Sequence, residues 1–266
     1  MTRKVSTSDF FATHPVFSLD EANVALAPPS GRAGTIERLK HHLATGRLKL
    51  ATRGVYAVVP PGVDVDTFRP DPFLVAAASR PDAIFSQHSA LELLGTAQSL
   101  WNLYTVYTER PRRILTMDGL GIRFLDDPKP MRSSNNRRLG TQKAERRGKL
   151  LTTTGPERTL IEGFHRPGLA GGLEELMRSA SAFAVLDLDR IQEILECYEI
   201  ANLWAAVGWF LETFQETFHV PETVLSRMER RRPGSPQYLE RSRRGGTLKH
   251  RWNLIVPERL TPLGET

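Results

Sequence analysis

Two short segments near the N-terminus place apolar residues one helical turn apart. In the first segment, Leu19, Ala22 and Leu26 fall on one face of a helix. Ser18 and Glu21 stand at its start with the spacing of a capping box, in which each side chain hydrogen-bonds to the other residue's backbone N–H. The pattern therefore predicts an amphipathic helix that begins directly after Ser18.

The second segment predicts a longer helix, over 35–45, that ends at Gly46. Its apolar face consists of Ile36, Leu39 and Leu43. Because these three side chains are expected to point inwards, the opposite face is left to polar and basic residues. This predicted solvent-facing set is Thr35, Arg38, Lys40, His41 and His42.

A β-hairpin is predicted next. Its two strands are 47–50 and 55–59, and the turn includes Gly54, because glycine tolerates a positive φ. Pro60-Pro61-Gly62 ends the segment. Helices followed by a hairpin in this order are typical of a winged helix-turn-helix, and we predict such a DNA-binding domain at 1–62.

The rest of the chain, 63–266, is predicted to form a second domain. Its first part, 63–150, mixes helical and strand patterns, whereas 151–266 is mainly helical. The expected fold class is therefore α+β: an N-terminal winged helix-turn-helix, then a mixed α/β domain that grades into a helical C-terminal region.

Four local signals define this second domain further. Asp71-Pro72 predicts the start of a helix, and Asp118-Gly119 predicts a hairpin turn. The polar stretch 131–148 is predicted to be a long loop or an extended edge, and 252–256 a strand.

Charge is unevenly distributed along the chain, whose net charge is +6. The segment 31–54 has six Lys and Arg residues against one acid, Glu37, whereas 157–216 has eleven acids against four arginines. The stretches 132–149 and 227–251 are also basic. Such segregation favours a polyanionic partner, and for a winged helix that partner is double-stranded DNA.

The predicted DNA contacts follow from the position of each side chain. Thr35 and Arg38 lie near the start of the second helix, where base edges in the major groove are usually contacted. Lys40, Arg47 and Lys49 suit phosphates, and Arg53 in the hairpin turn suits a phosphate or the minor groove. The full set of candidate DNA-binding residues is Arg32, Thr35, Arg38, Lys40, His41, His42, Arg47, Lys49 and Arg53.

Three segments carry a resemblance to a known family. Gly46–Tyr56 (GRLKLATRGVY) resembles the end of the winged-helix domain of AbiEi-type antitoxins, which belong to type IV toxin–antitoxin systems of abortive infection. Phe85–Leu91 and Pro156–Ile161 are similar to later segments of the same family and occur in the same order. The resemblance covers most of 17–175.

The resemblance implies a transcriptional regulator that represses its own operon by binding repeated sites in its promoter. It also implies an antitoxin that counters a nucleotidyltransferase-like toxin encoded beside it. Whether neutralisation involves direct contact with the toxin stays open. So does the question whether the basic stretch 227–251 extends the DNA-binding surface.

No catalytic constellation is predicted. Asp126 and Asp127 precede Lys129, as acids and a lysine do in metal-dependent nucleases. Pro128, which lies between Asp127 and Lys129, disfavours the paired strand that would hold a metal and a water. The single cysteine, Cys197, excludes a multi-cysteine zinc site. We therefore expect a non-catalytic protein without a cofactor or metal.

A cytoplasmic location without a membrane partner is expected, because the most apolar stretch, 203–211, is too short to cross a bilayer. Two alternatives to the antitoxin remain. One is a stand-alone winged-helix transcription factor whose C-terminal domain senses a ligand or partner. The other is a DNA-processing enzyme with an unrecognised active site.

Overall fold

The computed structural model describes residues 6–111, 113–133, 136–240 and 245–260. Within these ranges the chain divides into two compact units. The first unit comprises 6–83, 102–124 and 145–151, and the second comprises 84–101, 125–144 and 152–260. Helices and strands alternate irregularly along the chain, so the predicted α+β class is confirmed.

The first half of the chain contains α1 (Thr7–Thr13), β1 (Val16–Ser18), α2 (Leu19–Leu26), α3 (Gly31–Ala44), β2 (Leu48–Thr52), β3 (Val55–Val58), α4 (Pro72–Ser79), β4 (Ile84–Phe85), α5 (His88–Leu93), β5 (Leu103–Tyr107), β6 (Leu115–Met117) and β7 (Leu120–Leu125). The second half contains α6 (Lys129–Ser133), β8 (Thr141–Arg146), β9 (Lys149–Thr154), α7 (Pro156–His165), α8 (Leu173–Ser181), α9 (Leu188–Tyr198), α10 (Ala201–Thr213), α11 (Glu222–Glu229), β10 (Gln237–Tyr238), β11 (Thr247–Lys249) and β12 (Leu254–Val256). Short 3-10 helices lie at Pro167–Leu169 and His250–Trp252.

The N-terminal helices pack on a three-stranded antiparallel sheet with the order β1-β3-β2. The predicted capping box of α2 is present, because the Ser18 N–H donates to Glu21 at 2.7 Å and the Glu21 N–H donates to the Ser18 hydroxyl at 3.1 Å. The hairpin turn is also present, with Gly54 at φ +77°. The strand β1 was missed, because its three residues are too few to show an alternating pattern.

A cluster of aromatic and aliphatic side chains forms the core of these elements. Phe10, Phe11 and Phe17 contact one another, and the Phe17 ring stacks on Tyr56 with centroids 5.8 Å apart. Leu39 joins them as the buried leucine of α3. The helix α3 starts at Gly31, four residues before the predicted start.

The first unit extends beyond the predicted boundary at residue 62. The helix α4 packs against β1 and β3, and Asp71 caps it by accepting a 2.9 Å hydrogen bond from the Phe73 N–H. The Asp71 carboxylate also binds Arg146 at 2.9 Å and Arg147 at 3.4 Å. Residues far outside 1–62 therefore complete the N-terminal unit.

A six-stranded sheet has the strand order β6-β7-β5-β4-β9-β8. The predicted hairpin around Asp118-Gly119 is confirmed, since β6 and β7 pair antiparallel with Thr116 opposite Gly121. The region 131–148, predicted as a loop or extended edge, contains part of α6 and the edge strand β8. None of the helices in the described ranges has the length and apolar character needed to cross a membrane.

The second unit is built around α7, α8, α9, α10 and α11. Its core includes Trp204, Trp209, Phe210 and Phe218. A small sheet with the order β10-β12-β11 covers α10. Gly208 allows Trp252 to approach the helix, because a Cβ at that position would lie 2.2 Å from the indole ring.

A fully buried ion pair joins α7 to distant segments of the second unit. The Arg158 guanidinium lies 2.7 Å from the Glu162 carboxylate and also donates to the backbone carbonyls of Arg137 and Leu139. Glu162 accepts a further hydrogen bond of 2.9 Å from the Tyr198 hydroxyl. Removing one member of a buried pair leaves the other charge buried and unpaired. This lowers the free energy of unfolding much more than the loss of an exposed pair does.

We expect Arg158→Met to lower the free energy of unfolding by about 3–5 kcal/mol, because Glu162 would stay buried without its cation. The matched control is Arg190→Met, which removes an exposed intrahelical pair with Glu193 and should cost less than about 1 kcal/mol. Urea denaturation followed by circular dichroism measures both. Equal effects of the two variants would contradict this assignment.

Candidate nucleic-acid interface

The exposed face of α3 carries four of the nine predicted DNA-binding residues: Arg32, Arg38, Lys40 and His41. Arg38 is exposed, and the described part of the chain offers its guanidinium no hydrogen-bond or ion-pair partner. Lys40 lies 3.3 Å from Glu37, and Arg32 pairs with Asp20. Both pairs are exposed, so water and salt screen them and either cation is readily available to another anion.

Thr35 does not lie on this face, and its predicted exposure is wrong. Its side chain is fully buried, and the hydroxyl donates a 3.0 Å hydrogen bond to the Asn23 side-chain oxygen on α2. The apolar pattern had placed Ile36 inwards, but the buried positions of α3 are Thr35 and Leu39, one turn apart. A hydroxyl can replace an apolar group at such a position when a partner satisfies it.

His42 and Arg47 pack against α1 through the same aromatic ring. The His42 ring meets Phe11 edge-on with centroids 5.0 Å apart, and the Arg47 guanidinium lies 5.3 Å from the centre of the Phe11 ring. Burial lowers the pKa of His42, and the neighbouring Arg47 and His41 lower it further. His42 therefore acts as a packing residue, whereas His41 and Arg47 remain exposed.

Lys49 is occupied within the first unit, which corrects its prediction as a phosphate ligand. Its ammonium group donates to the Phe68 carbonyl at 2.7 Å and lies 3.9 Å from the Asp118 carboxylate. The side chain is only 22% exposed. A phosphate would have to displace both partners to bind it.

Arg53 lies at the turn between β2 and β3 and is exposed. Within the described ranges no acidic group or hydrogen-bond acceptor holds its guanidinium. Gly54 directly after it adopts φ +77°, which closes the turn tightly. Of the nine predicted residues, Arg38 and Arg53 are therefore the two arginines whose charges are least engaged by the protein itself.

Lys149 is a cation near α2 that sequence reasoning missed. Its ammonium group lies 3.0 Å from the Glu21 carboxylate, in the capping box. Burial opposes the ionisation of Glu21, but hydrogen bonds from Ser18 and the charge of Lys149 outweigh it, so the pKa of Glu21 is lowered. No local pattern links residues this far apart, so only the tertiary fold identifies this contact.

Neighbouring acids engage part of the basic stretch 227–251. Arg251 contacts the carboxylates of Glu212, Glu222 and Glu229 at 3.0, 2.5 and 3.2 Å. Arg232 also binds Glu229. Residues 241–244 of this stretch lie outside the described ranges. In the described part, acids therefore engage Arg232 and Arg251, whereas the exposed Arg230 has no acid within ion-pair distance.

The acidic pair Asp126 and Asp127 contacts arginines. Asp126 lies 3.4 Å from Arg132, and the buried Asp127 binds Arg137 at 2.7 Å. The described residues contain no cluster of three His, Cys, Asp or Glu side chains that could hold a metal ion. These carboxylates precede α6 and form ion pairs with one arginine within that helix and one after it.

His88 is the centre of a second polar cluster, in the second unit. The same ring nitrogen, Nε2, lies 3.3 Å from the Ser99 hydroxyl and 3.4 Å from the Glu175 carboxylate, while Trp101 stacks on the ring. A serine nucleophile would require the hydroxyl and the acid on different ring nitrogens. The cluster therefore lacks the arrangement of a catalytic triad. Burial lowers the pKa of His88.

No protein-family model matches the sequence, and no curated protein sequence is significantly similar to it. The fold is similar to the crystal structure of the Rv2827c protein from Mycobacterium tuberculosis. That comparison has a TM-score of 0.59 and 17% sequence identity, and it covers 93% of this chain and 88% of that chain. At this identity the similarity concerns the fold alone.

We expect Thr35→Val to lower the free energy of unfolding by about 1 kcal/mol, because Asn23 loses its hydrogen bond. The control is Thr45→Val, whose hydroxyl bonds to exposed backbone carbonyls and should change stability by less than about 0.5 kcal/mol. Thermal unfolding of both variants tests this. A neutral Thr35→Val would show that this hydroxyl does not support the packing of α2 on α3.

Proposed function

We propose that this protein is a DNA-binding transcriptional autoregulator and the antitoxin of a type IV toxin–antitoxin system, without catalytic activity. The DNA-binding part of this proposal rests on the position of two exposed arginines, Arg38 on α3 and Arg53 at the hairpin turn. Neither is held by an acid among the described residues. An exposed cation that makes no ion pair within the protein is available for phosphates or base edges.

The order of the N-terminal elements supports a winged-helix assignment. The helices α1, α2 and α3 precede the β2–β3 hairpin, and β1 completes a three-stranded sheet. In a helix-turn-helix, the second helix of the motif enters the major groove and the first crosses the DNA backbone. We assign α3 to the major groove and α2 to the crossing of the DNA backbone.

The proposed contacts differ between residues according to how the protein engages each side chain. Arg38 reads a base edge, for which a guanidinium suits the two acceptors of guanine. Arg53 contacts the minor groove or a phosphate. The exposed cations Arg32, Lys40 and Arg47 contact phosphates, whereas the buried Thr35 and the engaged Lys49 make no DNA contact.

We expect Arg38→Ala to weaken binding to the protein's own promoter by about 1–3 kcal/mol and to relax sequence preference. Arg53→Ala should weaken all DNA sequences alike and reduce the salt slope of log K by about 0.9, the value for one phosphate contact. The measurement is fluorescence anisotropy with promoter and scrambled duplexes over a salt series.

Two controls separate DNA contacts from general charge. Arg190→Ala removes an exposed arginine of the second unit and should leave promoter affinity unchanged. Lys49→Ala should lower thermal stability but leave promoter affinity nearly unchanged, because Lys49 binds the Phe68 carbonyl. Promoter binding that is insensitive to Arg38→Ala and Arg53→Ala would refute the proposed interface.

The antitoxin part rests on the resemblance of Gly46–Tyr56, Phe85–Leu91 and Pro156–Ile161 to the AbiEi family. Because the proposed DNA contacts lie on α3 and the hairpin turn, point variants can remove DNA binding while the full chain stays intact. We assign toxin neutralisation to the second unit, which has its own core around α7 and α10.

We expect the double variant Arg38→Ala/Arg53→Ala to protect cells from the nucleotidyltransferase-like toxin encoded beside it while failing to repress the promoter. Both proteins are expressed from unrelated promoters, so that the loss of repression does not alter dosage. Growth after toxin induction measures protection, and a promoter reporter measures repression. A wild-type protein that gives no protection, or the absence of such a toxin gene, would refute the antitoxin assignment.

A further inference from the structure

One acidic side chain interrupts the basic surface of α3. The segment 31–54 contains a single acid, Glu37, among six Lys and Arg residues. Its side chain is 77% exposed. On a surface that faces DNA, phosphates repel a carboxylate. Such a residue therefore lowers affinity unless it accepts a hydrogen bond from the DNA.

Glu37 lies at the centre of the face of α3 that is opposite the core. The buried residues of this helix are Thr35 and Leu39. Successive residues of an α-helix turn by about 100°, so Glu37 lies about 160° from each of them around the helix axis. Arg38 and Lys40 flank Glu37 on opposite sides, at about 100° and about 60°. The acid therefore points away from the core, between two cations.

The start of α3 also favours a base contact at this position. The helix begins at Gly31, so Glu37 belongs to its second turn. Base contacts of a recognition helix are concentrated near its N-terminal end. Helical side chains lean towards the N-terminus of their helix, so Glu37 extends over Ala33, which is exposed and small. A base edge therefore has room to approach the carboxylate.

The intramolecular partner of Glu37 is readily exchanged. Its carboxylate lies 3.3 Å from the Lys40 ammonium group, and both side chains are exposed. Exposed pairs of this kind contribute little to stability, so Glu37 can replace Lys40 by a donor on the DNA. The exchange releases Lys40, which agrees with the phosphate contact proposed for that lysine.

Two bases present a hydrogen-bond donor in the major groove. Cytosine presents the N4 amino group, whereas adenine presents the N6 amino group beside the acceptor N7. An ionised carboxylate only accepts hydrogen bonds, so N7 repels it. Cytosine is therefore the base that suits Glu37.

We propose that Glu37 accepts a hydrogen bond from N4 of a cytosine and thereby selects one C·G base pair of the operator. This inference rests on the proposed DNA-binding function and adds a second base to the one that Arg38 reads. Thymine or guanine at this position would place an acceptor, O4 or O6, against the carboxylate. Glu37 therefore discriminates by repulsion as well as by attraction.

The first test selects bound duplexes from a randomised DNA pool with the full chain and sequences them. We expect the wild-type protein to enrich sequences that share a C·G pair at one position. In Glu37→Ala this position should become degenerate, whereas positions read by other residues should not change. In Glu37→Gln it should change to A·T, because glutamine pairs with N6 and N7 of adenine.

Fluorescence anisotropy then measures the contact on the selected duplex. Replacing the C·G pair by T·A should weaken wild-type binding about tenfold or more, and should change Glu37→Ala binding less than about twofold. The matched control is Glu193→Ala, which removes an exposed glutamate from another i,i+3 pair, with Arg190 in the second unit. This control should keep the wild-type preference for C·G.

The outcomes separate this contact from DNA binding as such. A wild-type protein that binds no duplex would refute the proposed DNA-binding function and the Glu37 contact with it. A sequence preference that changes in Arg38→Ala but not in Glu37→Ala would overturn the Glu37 contact alone. An equal gain of affinity for all duplexes in Glu37→Ala would also overturn it, because the carboxylate would then only oppose phosphates. So would a Glu37→Gln variant that gains no preference for adenine, or a Glu193→Ala variant that loses the preference for C·G.

Discussion

Both units depend on the requirement that a buried charge must have partners. The Asp71 side chain is 3% exposed, and it caps α4 while binding Arg146 and Arg147. The Arg158 side chain is 0% exposed and binds Glu162 together with the carbonyls of two residues that precede β8. Each charge fixes chain segments that lie far apart in sequence, because a charge left unpaired in the interior destabilises the fold strongly.

The same principle separates cations that are structural from cations that are available for binding. Lys49 and Arg38 both belong to the basic segment 31–54, and composition gives them equal weight. In the fold, Lys49 binds the Phe68 carbonyl, whereas Arg38 faces solvent and no acid among the described residues holds it. Arg38 and Arg53 are therefore the leading proposed DNA contacts, because no acid among the described residues compensates their charges, and net charge alone does not identify such positions.

Polar groups of the second unit divide in a similar way. His88, Glu175 and Ser99 satisfy one another in a closed cluster. Asn202 differs, because its side-chain oxygen is shielded from solvent and has no hydrogen-bond partner among the described residues. A satisfied cluster stabilises packing, whereas a buried acceptor without a partner lowers the free energy of unfolding.

The sequence by itself determined the features that depend on neighbours within one turn of the chain. The capping box of Ser18 and Glu21, the Asp71 cap and the Gly54 turn all rest on local hydrogen bonds or backbone preferences. The tertiary structure alone decided that Thr35 is buried and that Lys149 binds Glu21. The physical reason is that helical periodicity states which residues share a face, but a face is buried or exposed only by the packing of distant segments.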